Sequence, residues 1–286
     1  MITASKTITV AHSPDSDDAF MFYGLQGDNL DTKGFTIKQV LKDIQSLNVD
    51  AINGVYEVSA ISFAAYPQVC DRYALMPCGA SMGDNYGPMI VTTRPKTAKE
   101  LKTCKLAIPG LLTTAWLAAR LYMPELQMNP NVVVVPFDKI IDAVKSGEAD
   151  AGLIIHEGQI TYKELGMHKI VDLGEWWFAE TGGLPLPLGG NVVRKDLGTE
   201  DVKTVTRLLQ EGIKFSLSHR KEALAYAMKF ARDLKQEQAD KFIGMYVNEL
   251  TVDYGERGRE ALRRLFSMAY EKRVIDNEIK VEFVDI

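Results

Sequence analysis

Two segments of the sequence follow one plan. Residues 142–158 read DAVKSGEADAGLIIHEG, and residues 50–65 read DAINGVYEVSAISFAA. In each, Asp-Ala near the end of a helical pattern is followed by a glycine, an acidic residue and a run typical of a buried strand. Setting Gly54 against Gly147 also aligns the acidic residues. We therefore predict two similar α/β lobes built from half-repeats of roughly 90 residues; the alternative is chance similarity between two helix–strand units.

Strand and helix patterns alternate through the first two thirds of the chain, which is typical of α/β architecture. From Thr199 onward, apolar residues recur at helical spacing, and this predicts a helical C-terminal region. The predicted helices of that region span residues 200–218, 220–232, 236–247 and 257–272.

Two β-rich segments, residues 87–94 and 188–198, are predicted to be paired crossover strands between the lobes. Lobe one would then comprise residues 1–94 and 190–286, including the helical tail, and lobe two residues 95–189. Two lobes joined by two adjacent strands form a clamp with a cleft. Ligands of open α/β sheets bind at the carboxyl ends of the strands, so we expect those ends to line the cleft.

The composition limits the classes of partner. The 286-residue chain is 46% hydrophobic and 25% charged, with a formal net charge of −5. A mildly acidic chain without a dense Lys/Arg block is not expected to bind nucleic acid or a membrane surface. Its three cysteines lack metal-ligand spacing, and a disulfide framework is not expected. The absence of a signal-peptide pattern and of a long apolar run predicts a cytoplasmic protein; the oligomeric state is left open.

His156 is the first candidate for chemistry. It follows the apolar run Leu153–Ile155, where the predicted strand leaves the core. A histidine at such a position is commonly structural, but an imidazole with an ordinary pKa of about 6.5 is also a natural general base. Because this strand end should face the cleft, we interpret His156 as a catalytic residue.

Polar residues at other strand ends are candidates for binding. Thr113 and Thr114 open a predicted helix, where a cap is the plain interpretation, and where amides and hydroxyls would also suit a carboxylate. Ser62 ends the equivalent strand of lobe one and would either donate to a ligand or bond to backbone.

The acidic turn at Asp15–Asp18 precedes another predicted helix. Its carboxylates are explained by helix capping, and they lack the spacing of a calcium loop, so no metal site is predicted. Asp17 or His12 is a candidate ligand contact, because the strand before this turn also ends at the cleft. The sequence has no Walker A, GxGxxG, GxSxG, HExxH or CxxC motif, and no cofactor is predicted.

Five segments together resemble the 1,4-dihydroxy-6-naphthoate synthase family of the futalosine route of menaquinone biosynthesis. The resemblance spans roughly residues 7–270, and the IIHE and GLPLPLG segments are its most specific parts. The segments are AHSPDSDDAFMFYGL (11–25), SFAAYPQVCDRYALMPCGASMGDNYGPMIV (62–91), IPGLLTTAWL (108–117), ADAGLIIHEGQITY (149–162) and TGGLPLPLGGNVV (181–193).

The resemblance implies a two-lobed, periplasmic-binding-protein-like (type II) clamp. It also implies a cofactor-independent carbon–carbon lyase that converts cyclic dehypoxanthinylfutalosine, a small carboxylate, to 1,4-dihydroxy-6-naphthoate and a three-carbon fragment. His156 matches the general base of the family. The positions that match its substrate contacts are Ala60, Ile61, Ser62, Thr113 and Thr114.

One segment differs from part of the family. Some members have Ser-Pro-Cys-Pro-Asn-Asp-Thr after the first strand, where this chain has Ser-Pro-Asp-Ser-Asp-Asp at residues 13–18.

Two other functions are compatible with the predicted fold. One is a solute-binding or sensor protein for a small aromatic carboxylate, and the other is the related chorismate dehydratase, which by resemblance has no histidine in the IIHE setting.

Overall fold

The computed structural model describes residues 6–231 and 234–286. Part of the predicted lobe one, residues 1–5, and residue 232 of the predicted helix 220–232 lie outside the described residues. The strands are β1 (Lys6–His12), β2 (Phe35–Leu41), β3 (Val58–Ser62), β4 (Tyr73–Leu75), β5 (Ser81–Gly83), β6 (Met89–Thr92), β7 (Leu106–Ile108), β8 (Val132–Val134), β9 (Ala151–Ile154), β10 (His168–Asp172) and β11 (Leu186–Arg194). The α-helices are α1 (Ser16–Met21), α2 (Ile44–Ile52), α3 (Thr114–Tyr122), α4 (Ile140–Lys145), α5 (Gly158–Thr161), α6 (Leu173–Glu180), α7 (Thr199–Ser218), α8 (Arg220–Ala227), α9 (Gln236–Tyr246), α10 (Glu249–Val252) and α11 (Gly255–Glu271).

The chain divides into two compact units. The first unit comprises the residues up to Ser81, Gly189–Gly255 and Val281–Ile286. The second unit comprises Met82–Leu188 and Glu256–Lys280. Each unit is built around one β-sheet with helices packed against it.

The sheet of the first unit has the order β2-β1-β3-β11-β4. Strand β1 is parallel to both β2 and β3, whereas β11 is antiparallel to β3 and to β4. Apolar residues of β1 and β3 pack with those of α1, α7, α8 and α9 to form the core of this unit.

The sheet of the second unit repeats this order as β8-β7-β9-β6-β10. Strand β7 is parallel to β8 and β9, and β6 is antiparallel to β9 and β10. The repeat predicted from the sequence therefore corresponds to a repeated strand–helix–strand–helix–strand arrangement, β1-α1-β2-α2-β3 and β7-α3-β8-α4-β9.

The aligned acidic residues have the same structural role in the two units. Glu57, before β3, accepts the backbone N–H of Thr9 in β1 at 2.9 Å. Asp150, before β9, accepts the backbone N–H of Lys105, which precedes β7, at 2.8 Å. Each carboxylate thus links the start of one strand, β3 or β9, to the neighbouring parallel strand, β1 or β7. Because both units share this contact, the similarity of the two sequence segments is not due to chance.

The crossover strands differ from the prediction. The outgoing segment was expected at residues 87–94, but Met89–Thr92 is an interior strand of the second unit's sheet. Besides β3 and β4, β11 pairs with β5, Ser81–Gly83, which lies before the predicted segment. Three residues with little apolar character give no periodic signal, so sequence analysis could not recognise this strand.

The unit boundaries also differ from the expected lobes. The prediction put the whole helical tail in lobe one, whereas Glu256–Lys280 belongs to the second unit. Arg257 forms two hydrogen bonds with the Asp84 carboxylate and one with the Gly183 carbonyl, and Lys272 donates to the Leu121 carbonyl. These contacts join residues far apart in sequence, which helical periodicity does not reveal. Among the described residues, no helix is both long and apolar enough to cross a bilayer.

Candidate functional site

His156 lies two residues after the end of β9, the central strand of the second unit's sheet. Its backbone φ is 61°, in the left-handed region that residues other than glycine rarely adopt. The turn it forms leads into α5, and its carbonyl accepts the Gln159 N–H at 3.1 Å. The side chain is half-buried, and its Nε2 atom is buried. The imidazole is therefore held at the point where the strand leaves the sheet.

Three parallel strands have their carboxyl ends at this edge. In the register of the sheet, Ile108 of β7 lies opposite Val134 of β8, and Ala107 lies opposite Gly152 of β9. The segments that follow these strands therefore emerge side by side. They carry the start of α3, the aromatic residue Phe137, and His156.

Phe137 packs against His156. The two ring centroids are 4.4 Å apart and the ring planes make an angle of 62°. Phe137 opens a 3₁₀ turn that is closed by a hydrogen bond from the Lys139 N–H to the Pro136 carbonyl at 2.8 Å. The sequence analysis did not single out this phenylalanine.

Thr113 is the N-cap of α3. Its Oγ1 accepts the Trp116 N–H at 3.3 Å and donates to the Gly110 carbonyl at 2.8 Å. The Thr114 hydroxyl donates to the Leu188 carbonyl at 2.6 Å. Both threonines are buried, and both hydroxyl protons bond to backbone carbonyls. In this arrangement the two hydroxyls donate to the protein backbone and not, as had been predicted from the sequence, to an anion.

The backbone at the start of α3 still suits an anion. The helical ladder begins with the Leu117 N–H, which donates to the Thr113 carbonyl at 3.1 Å. The N–H groups before it carry the positive end of the helix dipole. The first turn of α3 contains no acidic residue that would oppose a negative ligand.

A buried carboxylate lies at the same sheet edge. Asp172 of β10 is opposite Met89, which is opposite Ile154 of β9. Burial raises the pKa of Asp172 to about 6, although hydrogen bonds from the Gly174 and Glu175 N–H groups act in the opposite direction. These two bonds cap α6, so Asp172 has a structural role.

In the first unit, Ser62 is fixed by Asn48 of α2. The Ser62 N–H donates to Asn48 Oδ1 at 2.8 Å, and Asn48 Nδ2 donates to Ser62 Oγ at 3.2 Å. Because Oγ accepts in this pair, the hydroxyl proton of Ser62 can be donated elsewhere. Asn48 is fully buried, and sequence analysis did not identify it.

The two residues before Ser62 are part of the sheet ladder. Ala60 lies opposite Asn191 of β11, and Ile61 lies opposite Gly190. The Ile61 side chain is completely buried. Any contact of Ile61 with a ligand would therefore use backbone atoms.

Asp17 lies in the first turn of α1, in the segment that follows β1. Strands β1 and β3 are parallel, with Ala11 opposite Ser59, so this turn and Ser62 lie at one edge of the first unit's sheet. Burial raises the pKa of the neighbouring Asp18, while His12 and the Ser13 N–H lower it. The turn is rich in carboxyl groups and suits hydroxyl donors better than an anion.

His12 is held in the fold of the first unit. Its ring is 1% exposed and stacks on Phe22 with a centroid distance of 4.2 Å. Nδ1 lies 2.8 Å from the Ser13 carbonyl oxygen, and Nε2 lies 2.9 Å from Gln39 Oε1. Both ring nitrogens thus bond within the unit, and His12 is not placed to meet a ligand. Within residues 6–231 and 234–286, no group of three or more His, Cys, Asp or Glu side chains could hold a metal ion.

A family model described as menaquinone biosynthesis matches residues 8–271. The chain belongs to this menaquinone biosynthesis family. It is 36% identical over 264 residues to a 1,4-dihydroxy-6-naphthoate synthase of Thermus thermophilus, covering 92% of this chain and 94% of the relative. It is 34% identical over 268 residues to the enzyme of the same name from Streptomyces coelicolor, covering 93% and 94%. These relatives identify the family as one of biosynthetic enzymes.

Solved structures show the fold of this family member. A crystal structure of an Archaeoglobus fulgidus protein is 43% identical, with a TM-score of 0.89 over 96% of this chain and all of that chain. The periplasmic aliphatic sulphonate binding protein of Escherichia coli is 11% identical, with a TM-score of 0.64 over 96% of this chain and 90% of that one. The fold is therefore the periplasmic-binding-protein fold, as predicted.

The structure groups the predicted site residues within each unit. His156, Thr113 and Thr114 belong to one sheet edge of the second unit. Asp17 and Ala60–Ser62 belong to one sheet edge of the first unit. Of the two residues that sequence analysis missed, Asn48 gave a weak signal, because asparagine is a poor residue for a helix interior.

Proposed function

We propose that this member of the family is a 1,4-dihydroxy-6-naphthoate synthase. It would convert cyclic dehypoxanthinylfutalosine to 1,4-dihydroxy-6-naphthoate and a three-carbon fragment, without a cofactor. The proposal draws on the two enzymes of this name at 36% and 34% identity. The observation that carries it is the position of His156, held by a left-handed backbone at the carboxyl end of a central strand.

His156 is the proposed general base. A neutral imidazole accepts a proton from a carbon or hydroxyl group of the substrate, and this starts the carbon–carbon cleavage. Formation of an aromatic product then contributes much of the driving force. The His156 side chain is held by the strand end and by Phe137, so it loses little conformational freedom when it reaches the substrate. Positioning a reacting group in advance in this way lowers the entropic part of the barrier.

We assign the substrate carboxylate to the start of α3. The backbone N–H groups there favour a negative charge, whereas the carboxyl groups of Asp15–Asp18 would repel one. Thr113 and Thr114 then act by fixing the helix start, through their bonds to Gly110 and Leu188. Asp17, Ala60, Ile61 and Ser62 remain proposed contacts for the uncharged parts of the substrate.

A solute-binding or sensor protein is the alternative that the fold itself allows, because the same fold occurs in a sulphonate-binding protein. The second alternative function is that of a chorismate dehydratase. Turnover separates the three functions, since a binding protein retains its ligand unchanged and the dehydratase acts on chorismate. The measurement is incubation of the protein with each substrate, followed by detection of naphthoate by its absorbance and of any loss of chorismate.

The structure suggests a sharp test of the base. Because φ at residue 156 is 61°, glycine fits this backbone without strain. His156→Gly should lower kcat by about 10²–10⁴-fold, the usual contribution of a general base. Added imidazole should restore part of the activity in proportion to its unprotonated form, which is a response specific to a missing base.

His168→Gln provides the matched control. His168 is an exposed histidine of the same unit, opposite Thr92 at the other end of the sheet. This variant should keep the activity of the natural protein. Activity of His156→Gly within threefold of the natural protein would reject His156 as the base, and a folded His156→Gly protein that imidazole cannot rescue would count against it.

A further inference from the structure

We propose that Phe137 is a positioning residue, which orients the His156 imidazole for proton abstraction. This inference rests on the proposed function of His156. It starts from the ring contact, a centroid distance of 4.4 Å with planes 62° apart. The distance is close to the lower limit of about 4.5 Å for aromatic pairs, and the tilted arrangement is one that such pairs prefer.

The backbone of His156 does not by itself set the orientation of the imidazole ring. His156 is a single left-handed residue between β9 and α5, so the backbone fixes where the side chain begins but not the rotation of the ring. A half-buried imidazole has several staggered rotamers, and an aromatic ring packed against it limits which of them fit. General bases work only within hydrogen-bond reach of the proton, and a displacement of about 1 Å can cost up to about 10²-fold in rate.

Phe137 is anchored well enough to provide that restraint. The Val135 N–H donates to the Ile108 carbonyl at 3.0 Å, which continues the pairing of β8 with β7. The 3₁₀ turn that begins at Phe137 is closed two residues later. The phenylalanine and the histidine are therefore attached to one sheet, two strands apart, and the ring contact bridges the intervening strand.

The Phe137 ring bears no group that can transfer a proton, so it must act through His156. Phe137→Leu keeps an apolar side chain but removes the ring, and should lower kcat about tenfold, with KM changed less than twofold. Phe137→Tyr keeps the ring and should retain kcat within about twofold. Phe178→Leu, a change at a half-buried phenylalanine of α6 in the same unit, is the matched control and should leave both constants unchanged.

A double-mutant cycle tests whether Phe137 acts through the histidine. In the His156→Gly background, Phe137→Leu should change the residual rate less than twofold, because the group that it positions is absent. An equal loss of rate in both backgrounds would overturn the proposal, as would a loss expressed in KM alone. A loss that Phe137→Tyr shares would also overturn it.

A measurement without substrate separates this inference from the proposed function. The Phe137 ring current should shift the NMR signals of the His156 ring protons in the natural protein and in Phe137→Tyr, and the shift should be lost in Phe137→Leu. Unshifted signals in the natural protein would reject the contact itself. Shifted signals together with a fully active His156→Gly would instead reject His156 as the base, and with it any catalytic consequence of the contact.

Discussion

Residues with a left-handed backbone are few in the described chain. The non-glycine examples are Lys33, Asn85, His156 and Arg273. His156 is half-buried, whereas the other three are exposed. A non-glycine residue in this region costs of order 1–3 kcal/mol, and such strain is common at functional sites. A glycine at position 156 would avoid the cost, so the presence of histidine there is consistent with a role for its side chain.

Thr114 supports the site through a backbone carbonyl. Thr114→Val removes the donor to the Leu188 oxygen, and loss of this partly buried hydrogen bond costs about 1 kcal/mol. The start of α3 should shift, and KM should rise about fivefold or more while kcat changes less. Steady-state kinetics with cyclic dehypoxanthinylfutalosine measures both constants.

Thr114→Ser is the control for this change. Serine keeps the hydroxyl donor to Leu188, so both kinetic constants should stay within about twofold of the natural protein. An unchanged KM in Thr114→Val would show that the hydroxyl does not hold the carboxylate-binding end of α3.

At the scale of elements, the packing of α7 depends on two glycines. A Cβ added at Gly24 would overlap the backbone of Gly212 in α7. The Ser216 hydroxyl of the same helix accepts the Gly24 N–H at 2.9 Å, and this hydrogen bond also holds Gly24 against α7. The long helix approaches the 3₁₀ turn Phe22–Leu25 backbone to backbone, and only glycine at position 24 allows this.

Gly24→Ala should therefore destabilise the protein by at least about 2 kcal/mol, because the backbone of α7 must move to admit the methyl group. Gly244→Ala in α9 is the matched control, since the nearest atom to its Cβ is the far end of Arg220 at 3.6 Å. That variant should gain about 0.5–1 kcal/mol from helix propensity. Urea unfolding curves measure both, and equal stabilities of the two variants would contradict this account of the packing.

On the scale of the whole molecule, the chain passes between the two units four times. After α11 it returns to the first unit with residues Val281–Ile286. There the Val284 N–H donates to the Leu75 carbonyl at 2.8 Å, and the Leu75 N–H donates to the Glu282 carbonyl at 3.2 Å. The last residues thus extend the first unit's sheet beside β4.

Removal of Val281–Ile286 should cost about 3 kcal/mol. The estimate combines burial of Val284, which is 7% exposed, with two backbone hydrogen bonds. Removal of the exposed pair Asp285 and Ile286 alone should change the stability by less than about 0.5 kcal/mol. A six-residue deletion that unfolds at the same urea concentration as the natural protein would refute the structural role of this segment.

Local patterns were enough to predict much of the fold. Helix α7, Thr199–Ser218, begins one residue before the predicted start at residue 200 and ends at the predicted residue. The repeated plan around Gly54 and Gly147 corresponds to equivalent parts of two sheets with one strand order. These features depend on periodicity and on glycines with positive φ, and both are properties of neighbouring residues.

Patterns among neighbouring residues predict the alternation of strands and helices, the internal repeat, and the position of His156 at the end of a buried strand. Long-range packing places Phe137 beside His156 and Asn48 beside Ser62, pairs β5 with β11, and puts Glu256–Lys280 in the second unit. Each of the latter is a contact between residues distant along the chain. Such contacts follow from how the sheets and helices pack, and hydrophobic periodicity within one segment carries no information about that packing.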